Sequence, residues 1–331
     1  MAIVPSDLDG ATASTGFTVL RATEELDPAY LFHWVRSPSF VSEMVSQATG
    51  QSYPAVSDRI VKGAFIPAPS RSEQLRISRL LDYVEALRAQ RRESLSLLED
   101  LAQSIFLDMF GDPSQVQPNF PLQPLVDTLG APLQNGAYYP KDLYVASGGV
   151  EMVHMGDAFY GKVERGDLKR VACPELDREK YGLNSSDVLV ARRSLNYEGS
   201  AKPCLIPETR EPLIFESSLI RVTPNPEIVT PAYLYHYLSN HRVRERFVFP
   251  FVTGATISGI SQKNLAKIPI MTPPVELQRE FAARLESVNK LKASHESHLA
   301  GIDALFDSLQ HRAFRGELQL DTSARTRTQD T

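Results

Sequence analysis

The run Arg192-Arg193-Ser194-Leu195-Asn196-Tyr197-Glu198-Gly199-Ser200-Ala201-Lys202 gathers in one place the side chains that bond nucleic acid. Arginine and asparagine offer paired hydrogen-bonding groups that match base edges, while lysine, serine and tyrosine reach phosphate oxygens. An apolar run, Val188, Leu189 and Val190, leads into it, so these polar residues fall on a turn leaving a strand. Arg192, Arg193, Asn196, Tyr197 and Lys202 are therefore candidate DNA contacts, and a solvated hairpin loop would carry the same composition. A second loop, Gln134 to Lys141, offers Gln134, Tyr138 and Tyr139. The third, Thr253 to Lys263, offers Thr256, Ser258 and Lys263 among small residues that let backbone approach phosphate closely. Turns needed only for folding would look similar. The basic segment His241 to Arg246 reads as a solvated helix face.

Other chemistry finds little support. There is no glycine-rich phosphate loop closing in Gly-Lys-Ser/Thr, and no Gly-x-Gly-x-x-Gly after a strand. Thr272-Pro273-Pro274-Val275 lacks the asparagine and the aromatic ring of an amino-methyltransferase loop. His295 and His298 share a helix face without a third ligand, so no metal is expected. Glu175, Asp177, Glu179 and Lys180 read as a charged loop rather than a nuclease cluster. Cys173 and Cys204, with no CxxC or Cys/His cluster around them, read as ordinary thiols. The expectation is a non-catalytic chain with no cofactor.

At 331 residues the chain has room for two domains with cores of their own. A net charge of −5 counts mildly against nucleic acid as the partner of the whole surface, unless acidic residues on protein-facing helices conceal a basic face elsewhere. No apolar stretch is long enough to span a bilayer, and the N-terminus has no signal-peptide pattern, so a cytoplasmic protein with no membrane partner is expected. Residues 321–331 lack large apolar side chains and are expected to stay disordered.

The elements that must position the loops are revealed by a repeat. Ile77, Leu81, Val84, Arg88, Arg91, Leu95, Leu98, Ala102, Ile105 and Met109 recur 204 positions later as Phe281, Leu285, Val288, Lys292, His295, Leu299, Ile302, Phe306, Leu309 and Ala313. Steps of four and three alternate in both sets, which is the seam of a coiled coil. Each predicts a helix of roughly 40 residues, about 60 Å long. Both seams carry polar residues at the same two steps, Arg88/Arg91 and Lys292/His295. That symmetry suggests two antiparallel helices meeting at their midpoints, with Glu85, Glu93, Glu286 and Glu296 balancing the cations.

Upstream, Asp27-Pro28-Ala29-Tyr30-Leu31 parallels Thr230-Pro231-Ala232-Tyr233-Leu234, a short helix capped by Asp27 or Thr230 with proline in its first turn. Thr49-Gly50 parallels Thr253-Gly254, Ser57 parallels Ser261, and FIPAPSRSEQ parallels IPIMTPPVELQ before the long helices. Residues 149–154, 187–192, 201–206 and 217–223 read as strands.

In this order the motifs Asp187-Val188-Leu189-Val190-Ala191-Arg192, Pro231-Ala232-Tyr233-Leu234, Thr253-Gly254, Ser70 to Gln74, Phe110-Gly111-Asp112-Pro113 and Phe314-Arg315-Gly316-Glu317-Leu318 resemble the specificity subunits of type I restriction-modification systems. The resemblance covers nearly the whole chain and implies an α+β fold, with mixed α/β target recognition domains joined to two long helices that pack as an antiparallel coiled coil. It also implies a DNA-reading subunit that performs no chemistry, with double-stranded DNA, methyltransferase (M) subunits and a restriction (R) subunit as partners. The expected organisation is a truncated first recognition domain at 1–70, helices at 71–111 and 274–316, and a second recognition domain at 115–272. About ninety residues at the front of the second unit have no counterpart in the first, so the first domain is expected to be crippled as a reader. The alternative is an assembly paralogue that binds methyltransferase subunits through its helices without full sequence recognition.

Overall fold

The structure is a computed structural model that describes residues 1–50, 54–115, 117–159, 161, 163–208, 211–254 and 257–318. Helices α1 (Pro28–Val35), α2 (Pro38–Gln47) and α3 (Asp58–Lys62) precede the long helix α4 (Arg71–Phe110). A strand-rich region follows with β1 (Leu122–Pro124), β2 (Gln134–Asn135), β3 (Tyr144–Val145), β4 (Val150–Val153), α5 (Met155–Ala158), β5 (Arg170–Val171) and α6 (Glu175–Tyr181). It continues through β6 (Val188–Ala191), β7 (Arg193–Ser194), β8 (Pro203–Leu205), β9 (Leu213–Phe215) and β10 (Leu219–Val222). Then come α7 (Pro231–Ser239), α8 (His241–Val243) running into a π-turn at Arg244–Val248, β11 (Ser258–Gly259), α9 (Gln262–Leu265), β12 (Pro269–Met271) and the second long helix α10 (Val275–Phe314). This is the expected α+β composition. The chain divides into two compact units, residues 98–290, and residues 1–97 together with the segment from Leu291 onward.

In the 98–290 unit, β2, β10, β6 and β8 form one antiparallel sheet, and β3, β5, β4 and β9 form a second in which β4 and β9 run parallel. Strand β6 is apolar at every position because both its faces are covered. Val188 and Val190 face a core shared with Tyr233, Tyr237, Phe106 and Phe281, while Leu189 faces Phe215 and Leu213 on the other side. The four strands expected from sequence form as β4, β6, β8 and β10. The segment expected to be a charged loop forms α6 instead. Pro174 starts it, Glu175 and Asp177 favour its first turn, and Arg178 pairs with Glu175 one turn on.

The start of α10 is closed onto α7 by one buried side chain. Gln278 Oε1 accepts from the Thr230 N–H at 2.8 Å, and its Nε2 donates to the Ile228 and Pro273 carbonyls at 2.8 Å each. Tyr233 of α7 donates its hydroxyl to the Met271 carbonyl at 3.0 Å. Its ring meets Phe110 at 4.9 Å and Phe106 at 5.8 Å, and both phenylalanines pack on Phe281 of α10. Helices α4 and α10 therefore run antiparallel here.

The other unit repeats the closure. Gln74 Oε1 accepts from the Asp27 N–H at 2.8 Å, and its Nε2 donates to the Glu25 and Pro69 carbonyls at 3.1 and 2.9 Å. Tyr30 donates to the Pro67 carbonyl at 2.9 Å and packs on Phe314 at 5.2 Å. Ile77, Leu81 and Val84 pack against Phe306, Ala313, Ile302 and Leu309, again antiparallel. The sequence parallels near Gly50 and Gly254 are equally literal. Both glycines have φ near +110°, at +111° and +112°, beside bridges that pair Thr49 with Ala55 and Thr253 with Gly259. A Cβ on Gly254 would stand 2.2 Å from the Ile257 carbonyl oxygen, so the turn admits no side chain there. Ser57 and Ser261 then cap α3 and α9.

At the polar interruption of the seam an acid outside the expected glutamates also takes part. Asp303 takes Arg88 and lies 3.6 Å from Arg92, while Arg91 reaches His295 Nδ1 at 3.3 Å. Glu85 is occupied by Arg36 at 2.7 Å, which holds its carboxyl below the usual range, and Glu286 pairs along its own helix with Lys290 at 2.7 Å. The facing-helix acid Asp303 thus adds to Glu85, whose carboxyl also feels the charge of Arg88. Seam residues Phe281, Leu285 and Val288 are buried as expected, while Leu95, Leu98, Ile105 and Leu299 are half-buried. Residues 1–26 contain one 3-10 turn, Ser6–Leu8, and among the described residues no strand, leaving Phe17 and Val19 exposed.

Replacing Gln278 with Leu strands one N–H and two carbonyls in a buried site, each costing about 1–3 kcal/mol when unsatisfied. A net loss of about 3 kcal/mol lowers the melting temperature of a unit of this size by roughly 6–10 °C. Thermal unfolding followed by circular dichroism checks this, and a fall of under about 2 °C would show that the three groups find other partners.

Candidate nucleic-acid interface

The three loops singled out by composition meet within the 98–290 unit. Strand β6 ends at Ala191, and β7 directly beyond it pairs antiparallel with β11, Arg193 opposite Gly259 and Ser194 opposite Ser258. The Ile260 N–H donates to the Arg192 carbonyl at 2.9 Å. These bonds tie the 192–202 loop to the 253–263 loop. The 134–141 loop joins through Gln262, whose Nε2 donates to Asn135 Oδ1 at 3.1 Å. It is held again where the Ala137 carbonyl accepts from the Ser217 N–H at 2.8 Å, beside the Arg192 N–H bonded to Ser218 at 2.8 Å.

Within this cluster the candidate residues separate by exposure. Tyr138 is 82% exposed, and Arg193 and Lys263 are exposed with no ion pair among the described residues. Leu195, beside Arg193 and 89% exposed, stands out at the tip of the loop, an apolar residue that the polar reading of this run passed over. Arg192 is half-buried, and its guanidinium donates to the Ser217 carbonyl at 3.3 Å.

The remaining candidates hold the loops in shape. Asn196 Oδ1 accepts from the Gly199 N–H at 2.8 Å, closing its own turn. Tyr197 donates its hydroxyl to the Phe249 carbonyl at 2.7 Å and lays its ring against Phe249 at 4.9 Å. Gln134 Oε1 accepts from Arg221 at 2.6 Å within the sheet. Tyr139 is buried, its hydroxyl bonded to Asp177 at 2.7 Å and facing Cys173, and this burial together with the neighbouring sulfur and carboxylate drives its pKa far up. Ser258 is buried in β11. Thr256 lies outside the described residues.

Lys202 and Arg244 flank a cavity of about 280 Å³ that also touches Phe159 and Asn196. Lys202 is half-buried with its ammonium 4.2 Å from the Phe159 ring centre. Burial, and then the charge of Arg244, lower its pKa. Arg244 itself is buried, against the expectation of a solvated face for residues 241–246. The segment turns inward because Val243 and Val248 are fully buried and carry the intervening π-turn with them. The sequence signal was present in Val243, which interrupts the basic run, and in Phe247 and Val248, which follow it. On the outer side Arg242 pairs with Asp112, and Asn240 caps α8 while donating to Gln103 at 3.0 Å.

Residues 131–303 match the family model described as the type I restriction modification DNA specificity domain. The chain belongs to this family. The match takes in all three loops of the cluster. Among curated relatives, the type I restriction enzyme EcoKI specificity subunit of Escherichia coli (strain K12) is 22% identical over 317 residues, covering 91% of this chain and 68% of the relative. A chain from a structural study of assembly and conformational transition in the type I R-M system superposes with a TM-score of 0.56 at 24% identity, over 96% of this chain and 78% of that one. The S subunit of a type I restriction-modification system from M. genitalium gives a TM-score of 0.50 at 14% identity, over 90% of this chain and 74% of its own. These likenesses establish a fold shared with type I specificity subunits, including its two long helices. Among the described residues of this specificity-domain chain, no cluster of three or more histidine, cysteine or acidic side chains is placed to hold a metal, and no helix is long and apolar enough to cross a membrane.

Both cysteines are free and buried, and burial pushes the Cys204 thiol up to about 12. At pH 8 Cys204 is then held as the thiol rather than the nucleophilic thiolate. Native protein mixed with a chromogenic disulfide reagent should show no fast reaction at Cys204, with full reaction once urea unfolds the chain. Rapid labelling of Cys204 in the folded state would contradict its burial.

Proposed function

We propose that the chain is the sequence-recognition subunit of a type I restriction-modification complex. Residues 115–272 read one part of a split double-stranded target, and the helices at 71–111 and 274–316 set its spacing while docking methyltransferase and restriction subunits. The observation that carries this reading is the convergence of three loops bonded to one another, on which Tyr138, Arg193 and Lys263 are exposed and the two cations make no ion pair among the described residues. Cations of this kind neutralise phosphates and position the duplex, while an exposed aromatic or apolar tip can meet base edges in a groove. The chain's own chemistry in this reading is confined to binding.

An assembly role without sequence reading is favoured by a different observation. Asn196, Tyr197, Gln134, Tyr139 and Ser258 are engaged inside the protein or buried, which leaves a small set of free side chains for DNA.

Fluorescence anisotropy of the full chain with labelled duplex DNA over a series of salt concentrations separates the two. Replacing Arg193 and Lys263 together by Ala should weaken binding and flatten the salt dependence by about one unit of slope for each lost phosphate contact. Unchanged affinity and slope would favour the assembly role.

A further inference from the structure

The loop from Ser194 to Lys202 is fastened from below by a residue that the DNA-contact pattern does not include. Arg244 Nη2 donates to the Glu198 and Ser200 carbonyls at 2.7 Å each, and Nη1 donates to the Ala201 carbonyl at 3.1 Å and the Leu238 carbonyl at 3.3 Å. Three of these four acceptors belong to the loop. The guanidinium also lies 5.1 Å from the centre of the Phe249 ring, the ring on which the loop's own Tyr197 rests. Arg244 is 8% exposed, so its charge is spent on backbone.

Two further features show that the loop is held in a shape it would not adopt freely. Ala201 has φ of +57°, the only positive value among the described non-glycine residues. That conformation costs an L-residue about 1 kcal/mol or more and persists where its surroundings enforce it. Arg244 starts a π-turn, an irregularity that swings its side chain out of the regular helical register. A planar fork of donors can serve several carbonyls in fixed directions, which a lysine ammonium does less well.

We propose that Arg244 is a positioning residue for sequence recognition: by clamping three loop carbonyls it fixes the shape in which Arg193 and Leu195 are presented to bases. The inference rests on the reading of this loop as a DNA contact. A preformed loop avoids an ordering cost at the moment of binding, and base discrimination depends on its geometry. Non-specific attraction to phosphate depends on charge and does not.

The test compares the full chain with Arg244→Gln and Tyr197→Phe. Wild-type protein first selects its preferred duplex from a randomised pool, and anisotropy then measures affinity for that duplex and for a scrambled one across salt concentrations. Hydrogen exchange of the 196–202 amides is followed in parallel. Arg244→Gln is expected to reduce the ratio of specific to scrambled affinity by about tenfold or more, the scale of one good base contact, with the salt slope unchanged and faster exchange confined to the loop. Tyr197→Phe, altered at a part-exposed site, should show a smaller change of the same kind and serves if Arg244→Gln does not fold. A preserved ratio with unchanged loop exchange overturns the proposal, as does a slope reduced by about one, which would make Arg244 a phosphate contact. Wild-type protein with no preferred duplex would instead sink the DNA-reading function itself, leaving loop exchange to report on the clamp.

Discussion

Each long helix begins at a buried glutamine whose amide is fully used. Gln74 and Gln278 accept one backbone N–H at the cap of a short helix and donate to two carbonyls, one just before that helix and one in the proline-bearing segment that leads into the long helix. Those groups belong to stretches that proline keeps out of regular structure, so without the amide they would be buried and unpaired. The closure fixes the angle at which α1 leans on the start of α4, and α7 on the start of α10. Only then can Tyr30 and Tyr233 meet Phe314 and Phe110, the last residues of the antiparallel partner helix. Helix pairing and domain docking are in this sense one interaction, made twice by a duplicated sequence.

The loop cluster depends on the same frame at one remove. Helix α7 is seated by Gln278, and α8 and the π-turn follow it directly, which places Arg244 beneath the 194–202 loop. Strand β11 and α9 then bring the 253–263 loop across to β7 and to the 134–141 loop. A surface with few exposed cations can still be selective if those cations are rigidly mounted. This also eases the tension between a net charge of −5 and nucleic acid as partner, since the requirement is local.

The helices were legible because periodicity is a property of the side chains themselves, and the duplication allowed each half to check the other. The capped helices, the paired turns at Gly50 and Gly254 and the four longer strands were legible for similar local reasons. Strands of two residues such as β7 and β11 were not, since pairing with a distant partner creates them. The three loops chosen by composition lie together, while several of the side chains chosen on them are used to hold the loops in shape. Composition shows which residues can bond a base, but a hydroxyl or amide bonds its own backbone equally well, as Asn196 and Tyr197 do. Arg244 was hidden for the converse reason. In sequence it sits among Arg242, Glu245 and Arg246, and only the fold shows that it alone points inward. Asp303 was missed because the partner of Arg88 lies on the other helix, 215 residues away.

If the converged loops read base sequence, the chain must select a duplex motif that depends on their exposed side chains. Selection of the full chain against a randomised duplex library, with sequencing of the bound fraction, tests it most directly when repeated with Tyr138, Arg193 and Lys263 all replaced by Ala. A defined motif should be enriched by the wild type and lost or altered in the triple variant. No enrichment by the wild type, or the same motif from both proteins, would contradict sequence reading by these loops.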